Sequence, residues 1–149
     1  MKRLQQFEIV IEKAKEDEQE ALRIYIDART LYVQEEQKLE ELRGYKDEYE
    51  KGYIKQGQQG ININQINNYL SFLGKIDQSV RHQLQVIEQK KVHVERLREN
   101  WVDQRARLLA IEKVAEKRQQ QHLQKVLRQE QKQQDEFAQR RIKVEEVID

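Results

Sequence analysis

Residues 51–70 read KGYIKQGQQGININQINNYL and place Gly52, Gly57 and Gly60, three of the chain's five glycines, within nine positions. The chain has no proline, so this cluster is its strongest helix-breaking signal. Each glycine weakens a continuous helix by about 1 kcal/mol relative to alanine. Asn62 suits the N-cap of a new helix, and Gln65, three positions on, completes an amide version of the capping box. The stretch predicts one helix over 4–53, a turn over 54–61 and a second helix over 62–147.

Both flanks carry a long apolar stripe. Alternate steps of three and four from Leu4 give Leu4, Phe7, Ile11, Ala14, Glu18, Ala21, Tyr25, Ala28, Tyr32, Glu35, Leu39, Leu42, Lys46, Tyr49 and Tyr53, of which twelve of fifteen are apolar or aromatic. The same steps from Ile66 give Ile66, Tyr69, Leu73, Ile76, Val80, Gln83, Ile87, Lys90, Val94, Leu97, Trp101, Gln104, Leu108, Ile111, Ala115 and Arg118, with twelve apolar of sixteen. A period of 3.5 sustained over seven heptads requires each helix to keep one seam against a partner. Doubling back at the glycines buries one seam against the other, so the expected fold is all-α: an elongated antiparallel two-helix coiled coil, a helical hairpin whose second helix is the longer. A parallel homodimer of one continuous helix is the alternative, and the glycine cluster counts against it. The seam itself permits pairings one heptad apart.

Composition agrees with this class. Charged residues make up 37%, aromatic residues 7%, and the mean hydropathy is -1.04, too polar for a thick globular interior. A disordered chain is disfavoured by the regular stripes and by 28 basic against 27 acidic residues. No run approaches the roughly 18 apolar residues of a membrane span, and MKRLQQFEIVIEKAKEDEQE does not read as a signal peptide, so a soluble chain is expected. Cysteine is absent, which excludes disulfides and fits a cytoplasmic location.

If the hairpin closes around 57–61, Leu4 lies near residues 111–118, where the second stripe loses its regularity. Residues from about 118 to 147 then project without an intramolecular partner. Leu123, Val126, Leu127, Phe137, Ala138, Ile142, Val144, Val147 and Ile148 exceed what a solubilising tail needs, so the segment either frays or orders against something else.

No catalytic constellation can be assembled. The chain has three histidines, two serines and one threonine, and lacks the P-loop, HExxH and GxGxxG patterns. His82 and His93 stand about 16 Å apart along a helix, too far to share a metal, and His122 is isolated. No enzyme activity, cofactor or metal is expected. Interaction is what the architecture offers, through unlike ends: residues 35–50 hold seven acidic against three basic side chains, and residues 113–128 hold five basic against one acidic. Beside the seam, Lys38, Tyr45, Phe72 and Ser79 share the heptad position before the first seam residue, on a flank to which both helices contribute. Tyr45 and Phe72 there form either a docking patch or part of a wide seam that includes Val10, Ile24 and Leu31.

With these residues in view, the chain resembles the FliJ family of flagellar export stalk proteins over nearly all of its length. The likeness is carried by EEQKLEELRGYKDEYEKGY, by GININQINNYLSFLGKI after the turn, by ENWVDQRARLLAIEKV and by DEFAQRR. The resemblance implies a non-enzymatic coupling protein of the flagellar type III export apparatus. It would insert into the hexameric export ATPase ring, engage the cytoplasmic domain of the membrane export gate protein, and bind export chaperones. For gate binding near the hairpin end, the matching positions are Leu42, Tyr45, Tyr49, Phe72 and Ile76. Lys38, Ser79 and Gln83 depart from the family pattern, which resembles glutamine, a small apolar residue and histidine at those places. The ring side is expected at Lys113, Lys117, Arg118, Lys125 and Arg128. Rival expectations are the equivalent stalk of a virulence type III secretion system and a generic self-assembling scaffold. A nucleic-acid binder is disfavoured by a net charge of +1 with interleaved acids. The stalk reading expects mostly monomer when free and a cytoplasmic location, peripheral to the membrane-bound apparatus.

Overall fold

The computed structural model describes residues 2–148, with side chains from Gln5 to Ile148. Among them are two helices, α1 (Lys2–Gly57, 56 residues) and α2 (Ile63–Ile148, 86 residues), and no strand. They form the antiparallel helical hairpin that the two stripes predict. Leu4, the first expected seam position, has its side chain outside the described residues.

The turn is tighter than the sequence suggests. α1 runs through Gly52 and ends at Gly57, beyond the expected end at residue 53. A Cβ at Gly52 would meet nothing within 4 Å, and its backbone is not in the positive-φ region, so nothing forces the helix to stop there. Its propensity cost of about 1 kcal/mol is small beside the packing of the seam tyrosines that flank it. The reversal falls on Gly60, with φ at 93°, a conformation that costs a side chain about 1–2 kcal/mol. Gln59 N–H donates to the Gln56 carbonyl at 3.0 Å and Gly60 N–H to that of Gly57 at 3.3 Å, closing the last carbonyls of α1. α2 then opens with the expected capping box: Gln65 N–H donates to Asn62 Oδ1 at 2.9 Å, and Asn62 N–H donates back to Gln65 Oε1 at 3.1 Å.

The chain divides into two compact units. The first comprises residues 17–104 and contains the turn; the second combines the residues up to Glu16 with those from Arg105 onward. In the turn-bearing unit every seam position of both helices is buried or half-buried, from Glu18 to Tyr53 on α1 and from Ile66 to Gln104 on α2. Ala21, Ala28, Leu39 and Ile76 are the most enclosed apolar residues, and Gln83 is a buried polar one. In the other unit Ala14 is buried, and Phe7, Ile11, Leu108, Ile111 and Ala115 are half-buried. A 3.5-residue period thus survives as the physical seam.

Three polar residues interrupt the α1 stripe, and each finds a partner across the hairpin. Trp101 Nε1 donates to Glu18 Oε1 at 2.9 Å. Gln83 Nε2 donates to the Glu35 carbonyl at 2.9 Å and to Glu35 Oε2 at 2.6 Å. Lys46 Nζ pairs with Asp77 Oδ1 at 2.9 Å. As one number rises the other falls, which fixes one antiparallel register among those the apolar pattern allows. Polar groups in a seam are satisfied in one alignment only, and a heptad shift would strand them.

Candidate functional site

Near the turn, tyrosines from both helices form an aromatic ladder. Tyr53 stacks on Tyr69 at 3.7 Å between ring centroids, Tyr69 on Tyr49 at 5.3 Å, and Tyr49 meets Phe72 at 4.3 Å with the rings tilted by 44°. The heptad places the three tyrosines at facing seam positions and Phe72 on the adjoining flank, and offset aromatic pairs add about 0.5–1.5 kcal/mol each beyond the area they cover. Burial, followed by the Glu50 carboxylate and Tyr53, holds the Tyr69 phenol above its ordinary value. Tyr69 and Tyr53 were not among the residues expected at this site. Their signal was present, since both are aromatic seam residues that face each other once the register is known.

The five residues expected at the gate-binding end separate by exposure. Ile76 is buried at 7%, Leu42 and Tyr49 are half-buried in the seam, Phe72 is partly exposed and Tyr45 is 67% exposed. A shallow open groove lies beside Tyr45, lined also by Lys38, Leu42, Gly44, Glu48 and Gln83. Val10, Ile24 and Leu31, at the same heptad position on α1, are 46%, 38% and 50% exposed, against 67% for Tyr45. Phe72 is 39% exposed, in their range, and its ring also leans against Tyr49. Tyr45 is therefore the member most available to another molecule, Phe72 offers one edge, and Ile76 acts through packing.

The other expected site lies on α2. At 100° per residue, Lys113, Lys117, Arg118, Lys125 and Arg128 fall within an arc of about 140°, and Glu116 lies outside it. All five are exposed. Arg118 sets its guanidinium 4.7 Å from the centre of the Phe7 ring, a cation–π contact that ties this helix to α1 within their unit. Val114, Gln121 and Gln124 fill the same arc, so the face is continuous and free of acidic groups over residues 113–128. His82, His93 and His122 are exposed, and among the described residues no group of three metal-ligating side chains converges.

What these surfaces define is a class: a two-helix coiled-coil hairpin that carries an aromatic flank in one unit and a basic helical face in the other, both suited to contact with other proteins. The family model described as "Flagellar FliJ protein" matches residues 1–146, and the chain belongs to that family. It is accordingly a protein associated with flagellar export. No curated protein and no solved structure gives a significant match. No described helix is long and apolar enough to cross a membrane.

Proposed function

We propose that the protein is a non-enzymatic stalk of the flagellar type III export apparatus, working on the cytoplasmic side of the membrane. Its basic α2 face contacts the hexameric export ATPase ring, and its aromatic flank contacts the cytoplasmic domain of the export gate; export chaperones are further partners. Family membership over residues 1–146 carries this reading. The exposed Tyr45 and the acid-free face around Lys117 support the division of labour. A stalk promotes hydrolysis only by contacting some ring conformations better than others, because equal contact shifts no population.

Co-purification with the export ATPase, followed by a hydrolysis assay, tests the ring half. Reversing Lys113, Lys117, Arg118, Lys125 and Arg128 to glutamate should abolish stimulation, and unchanged stimulation would remove that face from the account. For the gate half, Tyr45→Ala should weaken binding at unaltered helicity and melting temperature.

A further inference from the structure

Beyond Arg118 the seam frame gives way to a second one. Leu123, Leu127, Glu130, Gln134, Phe137, Arg141, Val144 and Ile148 recur at steps of four and three along α2. The apolar members are exposed, with Leu123 at 58%, Phe137 at 69% and Ile148 at 78%. At 100° per residue this stripe lies on the side of α2 opposite the basic face. A 3.5-residue stripe is a seam that lacks a partner, and two charges at its centre indicate which partner fits.

We infer that this segment pairs with a second copy of the chain, antiparallel, over residues 123–148. In that alignment Leu123 meets the partner's Ile148, Leu127 the partner's Val144, Glu130 the partner's Arg141, and Gln134 the partner's Phe137, each pair occurring twice by symmetry. Every apolar position except Phe137 faces an apolar one, and the two seam charges neutralise each other. On the flank, Val126 lies beside the partner's Val147. Sliding by one heptad sets Leu123 against the partner's Arg141 in one direction, or Glu130 against the partner's Ile148 in the other. A parallel in-register pair would oppose Glu130 to its own copy and Arg141 to its own, and such like-charge contacts select against that arrangement. The antiparallel dimer spans about 39 Å of helix and leaves Lys125 and Arg128 on its outer side. With few apolar layers the pairing is weak, so the chain is monomeric at low concentration and dimeric at high.

The inference does not depend on contacts with ring or gate. Sedimentation equilibrium of the full chain over a roughly thousand-fold range, from micromolar to millimolar, should show the mass rising toward twice the monomer value. Glu130→Arg and Arg141→Glu should each weaken association about 10-fold, and the double variant should restore it. The chain has no cysteine, so single introduced thiols report orientation cleanly. Mixing Leu127→Cys with Val144→Cys should give the mixed disulfide dimer in preference to either homodimer. A mass that stays monomeric throughout overturns the proposal, as does dimerisation with preferred 127-to-127 crosslinks or without charge rescue. In the last two cases the stripe serves a parallel dimer or a different contact. All four substitutions lie on the exposed segment, and unchanged helicity by circular dichroism confirms that the fold is intact.

Discussion

Gly52 and Gly60 belong to one glycine cluster, yet their backbones differ. Gly52 is helical and a Cβ there has open space, so Gly52→Ala should stabilise the hairpin by about 0.5–1 kcal/mol. Gly60→Ala forces a side chain into positive φ and should cost about 1–2 kcal/mol. Opposite shifts in melting temperature check both. At Gln83 the buried amide holds α1 through two hydrogen bonds, and Gln83→Ala should cost about 1–2 kcal/mol. The same contact has a pH signature. Hydrogen bonds from Gln83 first and Lys38 second hold the Glu35 carboxyl below its ordinary value of 4.5. A depressed folded value means the unfolded chain binds protons first as pH falls. The Glu35 contribution is therefore complete above 4.5 and is lost as pH drops through the folded value, which lies below it. Thermal melts across this acid range should show a shallower decline in Gln83→Ala than in the parent protein.

At the scale of the helices, small and large seam residues alternate for a packing reason. Trp101 stacks on Tyr25 at 5.9 Å and also reaches Glu18, bridging residues one heptad apart with buried Ala21 between them. Alanine at that place lets the backbones approach closely enough for an indole to span the gap. Ala21→Leu should overpack the seam and cost about 1–3 kcal/mol, and Trp101→Ala should cost about 2–3 kcal/mol; chemical denaturation measures both. These stripes were legible in the sequence because a 3.5-residue period has one physical meaning in a long helix. From Phe7 to Ala115 every position it named is buried or half-buried. The register was not legible from apolar residues, which repeat every heptad and fit several alignments equally. Glu18, Glu35 and Lys46 held the missing information, as exceptions whose partners exist in one alignment only. Likewise, heptad position alone treated Tyr45 and Phe72 as equals. Only the register shows that Phe72 has Tyr49 to lean on while Tyr45 faces outward.

For the molecule as a whole, the two proposed interfaces draw on different physics. The α2 face is a set of exposed cations with Glu116 outside its arc, so its attraction to a ring is mainly coulombic and decays with ionic strength. The Tyr45 flank offers aromatic area, whose burial responds far less to salt. Raising salt from about 0.05 to about 0.5 M should therefore weaken ATPase binding much more than gate binding. The two residue sets fall in different compact units and share no partner, which predicts additive behaviour. A protein carrying Tyr45→Ala together with the five charge reversals should lose gate affinity as the single variant does, and ring stimulation as the reversed variant does. Calorimetric titration with each partner reads the two losses separately. A gate affinity that falls further when the cations are reversed would mean that the surfaces cooperate, and the stalk would then couple ring and gate through one linked equilibrium.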